Sequence, residues 1–326
     1  MMDRLRRYRK SPELRTMLQE TRVRASDLIY PLFISETATV REPILSMPGQ
    51  FRWPLKEVSN VVREVQSSGI RSVLLFGLPS TKDDLATGAN NPSGIVQEAI
   101  KMAKDACPDL LVMTDVCICG YTPHGHCGVL YGDHIDNDRS LELLAKQAVS
   151  HAQAGADVVA PSAMMDGQVK AIRDGLRDAS LDETIVMAYS TKFASAFYGP
   201  FREAADSAPT FGDRSSYQHD PANLRHARRE LEADVLEGAD ILMVKPGLAY
   251  LDVVRLARET SDLPVAVYNV SGEYSMVKAA AEKGWLDERR VVLETLIAFR
   301  RAGADLIITY HALDAAKWLR EKESLP

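Results

Sequence analysis

The chain of 326 residues lacks the long apolar segments of membrane and secreted proteins. No window approaches the roughly 18 to 20 consecutive apolar residues of a membrane-spanning helix, and the N-terminus has no apolar segment followed by a small-residue cleavage site. Four cysteines are too few for a disulfide framework in a chain of this length. We therefore expect a cytoplasmic protein that does not insert into a membrane.

An excess of positive charge and a high aromatic content are also missing. Lys and Arg number 39 against 45 Asp and Glu, so the formal net charge is -6, and aromatic residues make up 7%. This balance argues against nucleic acid as the main partner. The 46% of apolar residues suffices for a large core. The length allows either two domains of about 100–200 residues each or a single α/β barrel.

The charge is unevenly distributed along the chain. Residues 1–24 carry eight basic and three acidic side chains, a balance of +5 that leaves -11 in the remainder. A basic arm of this kind can contact nucleic acid or direct a protein to an organelle. We favour a third interpretation, in which the arm, residues 1–26, docks on the acidic body of another copy of the chain.

Short β-branched runs alternate with longer amphipathic segments, several of which end in glycine. Such nearly continuous apolar runs are typical of strands that are buried on both faces. The eight predicted strands are Leu28–Ile34, Ser72–Phe76, Leu110–Thr114, Asp157–Ala160, Thr184–Ala188, Asp240–Val244, Val265–Tyr268 and Asp305–Thr309. Predicted helices between them include Leu55–Ser68, Ser140–Ala154, Pro221–Glu237 and Arg289–Arg301. The sequence Gly-Ala-Asp stands between a helix and a strand three times, at 155–157, 238–240 and 303–305.

The first predicted strand is not followed by a glycine-rich phosphate turn, because the next residues are Ser35, Glu36 and Thr37. This absence argues against an open dinucleotide-binding sheet. Eight strands alternating with helices favour an α/β fold of the (β/α)₈ TIM barrel type. We predict one catalytic barrel at residues 27–326, preceded by the N-terminal arm.

Two lysines stand at the ends of predicted strands. In a barrel of this type, the loops at the carboxyl ends of the strands build the active site. The polar residues at those ends are Asp115, Ser162, Lys192, Lys245, Ser271 and Tyr310. A single lysine there has an alternative role as a solvated charge. A lysine in apolar surroundings beside another cation, however, becomes a neutral amine that forms a Schiff base with a ketone.

Three of the four cysteines fall within eleven residues. Cys117, Cys119 and Cys127 follow the third predicted strand, with two histidines between the last two of them. Buried thiols without a ligand are the ordinary state of cytosolic cysteines, and we assign Cys107 to that class. For the cluster we favour zinc, because thiolates with imidazole neighbours suit this ion. Three protein ligands and an open fourth position are typical of catalytic zinc.

Two long segments, 117–138 and 193–220, follow the third and fifth strands and are candidate walls or lids of the site. The second contains Arg202 and Arg214, which we place as a clamp for a substrate carboxylate. Because arginines are also common on surfaces, their spacing alone does not decide between these roles.

The chain closely resembles the porphobilinogen synthase family, also called 5-aminolevulinate dehydratase, over essentially its whole length. The segments that carry the resemblance are DVCICGYTPHGHCG at 115–128, APSAMMDG at 160–167, YSTKFASAFYGPFR at 189–202, GDRSSYQ at 212–218, EGADILMVKPGLAYLD at 237–252, YNVSGEYSM at 268–276 and GADLIITYHALDAAKWL at 303–319. Family members condense two molecules of 5-aminolevulinate into the pyrrole porphobilinogen, with loss of two waters. The resemblance implies the same reaction here, within tetrapyrrole biosynthesis.

The resemblance also implies roles for individual residues. Lys245 and Lys192 each form a Schiff base with one substrate molecule, while Asp115 and Ser162 line the pocket. The carboxylate of the first substrate is held by Ser271 and Tyr310. That of the second is held by Arg202 and Arg214, with Gln218 nearby.

The resemblance further implies metals and an assembly. The zinc ligands are Cys117, Cys119 and Cys127, and Glu230 matches a glutamate that is associated in some members with an allosteric magnesium. An exposed ion pair is the alternative role for Glu230. The family implies a homo-octamer in which each arm wraps around a neighbouring barrel.

Some positions differ from the common family pattern. Ala163 and Gln168 stand where many relatives carry Asp and Arg, and Ser216 stands where some carry a further cysteine. Two other functions remain as alternatives. A class I aldolase explains one lysine but not the second or the thiols. The second alternative is a non-catalytic zinc scaffold with a nucleic-acid-binding arm. Such a protein would bind metal tightly and would not form an imine.

Overall fold

Eight parallel strands close into a barrel, as the alternating apolar runs predict. The computed structural model describes residues 3–323. The barrel strands are β1 (Leu28–Ser35), β2 (Ser72–Leu78), β3 (Leu111–Val116), β4 (Val158–Pro161), β5 (Ile185–Lys192), β6 (Ile241–Lys245), β7 (Val265–Asn269) and β8 (Leu306–Thr309). Each strand pairs with the next, and the pairing of Leu28 with Ile307 closes β1 onto β8. The predicted (β/α)₈ barrel is therefore confirmed.

Helices connect successive strands and cover the outside of the barrel. The described helices are α1 (Pro12–Met17) in the arm, α2 (Val58–Ser67), α3 (Ile95–Ala106), α4 (Asn137–Gln153), α5 (Gln168–Asp178), α6 (Gly199–Ala204), α7 (Leu224–Glu237), α8 (Leu251–Thr260), α9 (Ser271–Glu282), α10 (Glu288–Ala302) and, after the last strand, α11 (Ala312–Glu323). Short 3₁₀ turns lie at Leu5–Arg9, Ala25–Asp27, Leu55–Glu57, Thr87–Asn90, Ala196–Tyr198 and Leu248–Tyr250. None of these helices is long and apolar enough to cross a membrane.

Within residues 3–323, four short strands lie outside the barrel. Phe51–Pro54 pairs in parallel with the end of β1 and antiparallel with Glu42–Pro43. Val129–Tyr131 and His134–Asp136 form a separate hairpin beyond the cysteine cluster. Both additions stand near the carboxyl ends of barrel strands, where they extend the walls of the mouth.

Alternate side chains of each strand build two separate cores. On β1, Ile29 and Phe33 point into the barrel, while Leu28 and Leu32 pack against the surrounding helices. The interior is filled by large side chains of all eight strands and is a packed core, not a channel. The same alternation places Asp115, two residues after the inward-facing Met113, inside the barrel near its mouth.

The three Gly-Ala-Asp repeats build one structure three times at the amino ends of β4, β6 and β8. Each aspartate carboxylate accepts the backbone N–H of the preceding strand, with the pairs Val112–Asp157, Val186–Asp240 and Val265–Asp305. Each also pairs with a cation from the helix before that strand, namely Lys104, Arg173 and Arg258 in the same order. These clamps fix the strand register at the end of the barrel opposite the mouth.

The arm makes few contacts with its own barrel. No described residue before Asp27 is buried, and the barrel begins at Leu28, next to the predicted boundary. Leu5, Tyr8 and Met17 are more than half exposed. Such apolar side chains are available to another surface, and the docking of the arm on a second copy stays a prediction.

Candidate active site

Lys192 and Lys245 are direct neighbours across two strands. They are the last residues of β5 and β6 and lie opposite each other in the register of the two strands. Both are nearly inaccessible, with 5% and 4% of their surfaces exposed. The Lys192 ammonium donates a 2.6 Å hydrogen bond to the carbonyl of Ser162 at the end of β4. The structure thus brings together two of the predicted catalytic residues and the backbone of a third.

A bulge in β5 turns Lys192 into the barrel. Between the pairs Ala188–Leu242 and Thr191–Val244, β5 has one residue more than β6. Without the extra residue, strict alternation would place Lys192 on the outer face with Ala188. The predicted end of this strand at Ala188 was therefore wrong, and the strand continues to Lys192 itself.

Aromatic rings surround the Lys245 amine. Its Nζ lies 4.1 Å from the ring centre of Tyr268, 4.9 Å from Phe201, 5.1 Å from Tyr189 and 5.4 Å from Tyr198. Burial, followed by the Lys192 cation, lowers the pKa of Lys245 to about 7. A substantial fraction of the amine is therefore neutral near neutral pH, which is the nucleophilic form.

Asp115 and Ser162 lie beside the two lysines. Asp115 belongs to β3 and does not follow it, which corrects its predicted position after the strand. Burial raises the pKa of the Asp115 carboxyl, whereas both lysine cations and the Ser162 hydroxyl lower it. The net effect is a pKa above the ordinary value of an aspartate, so this carboxyl holds a proton more readily than an exposed one.

The three clustered cysteines meet in space. Their sulfur atoms all lie within 4.8 Å of one another, and the Sγ atoms of Cys117 and Cys119 are 3.3 Å apart. Hydrogen bonds with Cys117 and then Cys119 hold the pKa of the Cys127 thiol well below its ordinary value. A thiolate within a compact group of three sulfurs fits the ligand set of a thiophilic metal ion. Cys107 is buried apart from them, in the outer core, as expected.

A small cavity lies between two of the thiols and Asp115. Its volume is about 30 Å³, and Asp115, Cys117, Cys119 and Phe201 are among its lining residues. An ion held by the sulfurs would therefore lie at the edge of this cavity, together with Asp115 and the Phe201 ring that covers Lys245.

The segment after β5 covers the barrel mouth, and we call residues 193–220 the lid. Its base is closed by a bridge between Phe193 and His219. The Nε atoms of Arg202 and Arg214 and both amide atoms of Gln218 are buried without a hydrogen-bond partner among the described residues. Because buried polar groups are ordinarily paired, these three donors and one acceptor are available to a polar group from outside the chain.

Ser271 and Tyr310 approach the lid from the opposite side of the mouth. The Ser271 hydroxyl accepts a hydrogen bond from the Phe201 N–H, at 2.9 Å, and donates one to the Phe197 carbonyl, at 3.3 Å. The Tyr310 hydroxyl is 3.0 Å from that of Tyr268, whose ring covers Lys245. Both predicted residues therefore line the Lys245 side of the site.

Glu230 lies apart from this group. It is on α7 and lines a second cavity of about 860 Å³, which also includes His226 and Asp234. Its carboxylate is 3.4 Å from the His226 Nε2, and burial raises its pKa. Among the described residues, only the cysteines form a close group of three or more metal-binding side chains. The magnesium at Glu230 stays a prediction.

Sequence reasoning missed the aromatic residues around Lys245 as site residues. Tyr189 and Tyr268 occupy inward positions of β5 and β7, and Tyr198 and Phe201 belong to the lid. Their inward positions on apolar strands carry a signal, but that signal is the same for any core residue.

The fold and the site define a class of protein: an α/β-barrel enzyme with paired buried lysines and a compact group of three thiols that could hold a metal ion. The model of the family "Delta-aminolevulinic acid dehydratase" matches residues 2–318. The chain belongs to this family.

Individual relatives agree over nearly their whole length. The delta-aminolevulinic acid dehydratase of Synechococcus elongatus is 57% identical over 318 residues, which cover 96% of this chain and 98% of the relative. That of Halalkalibacterium halodurans is 52% identical, covering 98% and 97%. The crystal structure of the Toxoplasma gondii enzyme with the product porphobilinogen has a TM-score of 0.97 at 47% identity, covering 100% of this chain and 95% of that one.

Proposed function

We propose that the chain condenses two molecules of 5-aminolevulinate into porphobilinogen with loss of two waters, and so serves tetrapyrrole biosynthesis. Family membership supports this function. The observation that carries it is the cross-strand pair of Lys192 and Lys245. Each substrate contributes one ketone, and two lysines provide one amine for each.

Because the pKa of Lys245 is lowered to about 7, part of this lysine is a neutral, nucleophilic amine at physiological pH. Its neutral Nζ adds to the ketone carbon of one substrate, and the oxygen leaves as water, which produces an iminium. Lys192 forms the corresponding bond with the second substrate. One carbon–carbon and one carbon–nitrogen bond then join the two molecules, and both lysines are released. Asp115, beside both amines, is placed to take up and return protons.

The partnerless groups of the lid support a carboxylate site. The guanidinium groups of Arg202 and Arg214 and the Gln218 amide offer donors to the carboxylate of the substrate on Lys192. Ser271 and Tyr310 are assigned to the carboxylate of the substrate on Lys245. The closed lid keeps bulk water away from both imines.

Zinc is the ion that best suits three thiolates. Cys117, Cys119 and Cys127 would hold it, and it would supply Lewis acidity that keeps a substrate amine unprotonated. A class I aldolase needs one lysine and no thiols, so the cysteine group favours the condensation. A scaffold that only stores zinc does not need a lysine of lowered pKa, so Lys245 argues against that alternative.

One experiment tests the function directly. The protein is incubated with 5-aminolevulinate, assayed for a pyrrole, and reduced with borohydride before adducts are mapped by mass spectrometry. We expect a pyrrole and adducts at Lys245 and Lys192. No pyrrole and no adduct at Lys245 would refute the function, and an adduct with an aldol but no pyrrole would support the aldolase.

The rate of adduct formation at Lys245 will depend on pH. Because the pKa of this amine lies at about 7, the trapping rate should rise about tenfold per pH unit below that value and level off above it. In Lys192→Gln the neighbouring cation is lost, so the midpoint should move to higher pH. Single-turnover trapping across pH 5–10 measures both profiles, and coincident midpoints would contradict the coupling of the two lysines.

The arm and the octamer remain proposals that share one test. The exposed apolar residues of the arm and its positive charge support docking on a second, acidic copy. A chain that lacks residues 1–24 should therefore form smaller assemblies than the full chain in light scattering. Equal masses for the two proteins would exclude a role of the arm in assembly.

A further inference from the structure

The lid is fastened to the segment that carries the cysteines, residues 117–128, which we call the cysteine loop. Two side chains make the central contact, His126 of the cysteine loop and Tyr217 of the lid. The His126 Nδ1 is 3.1 Å from the Tyr217 hydroxyl, and its Nε2 is 3.0 Å from the carbonyl of Phe211, also in the lid. The N–H of Cys127 donates to the same hydroxyl at 3.4 Å.

The chemistry of the groups fixes the direction of two of these three hydrogen bonds. The Cys127 N–H can only donate and the Phe211 carbonyl can only accept. The Tyr217 oxygen therefore accepts from the Cys127 N–H, and the His126 Nε2–H donates to the Phe211 carbonyl. The third hydrogen bond joins the Tyr217 hydroxyl to the His126 Nδ1. The Tyr217 hydroxyl of the lid thus binds the backbone N–H of Cys127, one of the three clustered cysteines.

Further contacts hold the two segments close together. The Arg214 guanidinium donates to the Gly125 carbonyl at 2.9 Å, and the Thr210 N–H donates to the His124 carbonyl at 3.1 Å. Gly125 has a φ of +68°, and a Cβ there would stand 2.4 Å from the carbonyl oxygen of Ala208. A side chain at this position cannot be accommodated without moving the lid.

We propose that Tyr217 is a positioning residue that links closure of the lid to metal affinity at Cys127. Lid closure brings the Tyr217 hydroxyl to Cys127 and His126 and fixes the cysteine loop with its third sulfur facing the other two. This inference rests on the proposed function, since a substrate carboxylate on Arg202 and Arg214 is what favours the closed lid. Linkage is reciprocal, so metal and substrate must raise each other's affinity by the same factor.

The test uses zinc and 4-oxopentanoate, the substrate's keto acid without its amino group, which cannot complete a pyrrole. Zinc affinity is measured by competition with a chromophoric chelator, with and without saturating keto acid. For the unchanged protein we expect affinity to rise about tenfold, within the usual range of coupling between two sites. In Tyr217→Phe, which keeps the ring, the rise should fall below about twofold.

Matched variants separate this role from a general loss of structure. Tyr131→Phe makes the same chemical change on the exposed outer hairpin, where the tyrosine is 74% exposed, and should keep the full coupling. Gly125→Ala separates the lid from the cysteine loop without touching the hydroxyl and should also lose the coupling. Coupling in Tyr217→Phe equal to that of the unchanged protein would overturn the proposal.

Borohydride reduction of the same samples distinguishes a failure of the link between lid and metal from a failure of the proposed imine chemistry. An adduct of the keto acid at Lys245 or Lys192 with no change of zinc affinity would refute the link and leave the function intact. The absence of any adduct would refute the imine chemistry on which the link depends. The reverse measurement, keto acid affinity with and without zinc, must return the same factor as the first.

Discussion

Replacement of Lys245 by alanine should reduce kcat/KM for pyrrole formation by at least about 10⁴-fold, which is the scale seen when a covalent nucleophile is removed. No other described amine reaches the same position, because Lys192 points to Ser162 and lies on the neighbouring strand. The loss should appear in kcat, since the carboxylate-binding groups on the lid are unchanged. Steady-state pyrrole assays and borohydride trapping measure both quantities.

Two matched variants identify the cause of that loss. Lys245→Arg keeps a cation in the aromatic surroundings but cannot form an imine, so it should be as inactive as the alanine variant. Lys170→Ala removes an exposed lysine that pairs with Asp174 and should keep full activity. Appreciable activity in Lys245→Arg would show that the charge, and not the nucleophile, is what the reaction needs.

The barrel was predictable because its strands are buried on both faces. Apolar runs then stand out from the amphipathic helices, and each predicted strand begins within one residue of the observed one. The end of β5 was not predictable in this way. Ser190 and Thr191 interrupt the apolar run although they are 1% and 0% exposed, and the bulge that turns Lys192 inward has no sequence signature of its own.

The residues of the candidate site likewise include some that were predictable from sequence and some that were not. Lysines and cysteines were found from sequence because those residue types at strand ends carry chemistry. The Tyr217 contact with His126 was out of reach, since 91 residues separate the partners and neither carries a local signal. The two arginines of the lid were candidates for carboxylate binding from the sequence itself, and the resemblance to a family supplied the other candidates. The structure adds a physical reason for the arginines and glutamine of the lid, because polar atoms of these side chains are buried without a hydrogen-bond partner among the described residues.

The recurring Gly-Ala-Asp sequence was visible from the start, but its purpose was not. Only the structure shows that each aspartate joins a backbone N–H of one strand to a cation of the preceding helix. The carboxylates are partly exposed, so each ion pair contributes about 1 kcal/mol or less. Their position matters more, because rigid strand starts leave the loops at the opposite end free to carry the chemistry.

The second large effect is expected for Cys119→Ala. The variant leaves two sulfurs where three now lie within 4.8 Å of one another. Changes that only touch the residues behind a ligand cost about 10- to 100-fold in metal affinity, so loss of a ligand itself should cost more than about 100-fold. Pyrrole formation at limiting zinc should fall in parallel. Zinc content after dialysis, chelator competition and activity measure this outcome.

Cys107→Ala provides the matched control for that experiment. It removes a thiol that is also buried but lies in the outer core, away from the cluster. We expect a loss of about 1 kcal/mol in the free energy of unfolding from the small cavity, with zinc affinity and activity unchanged. A Cys119→Ala protein with full zinc content and full activity would exclude the thiols as metal ligands. Full zinc content without activity would instead show that Cys119 is needed for the reaction and not for binding the ion. Such a role is consistent with its position, because Cys119 and Asp115 line the same cavity.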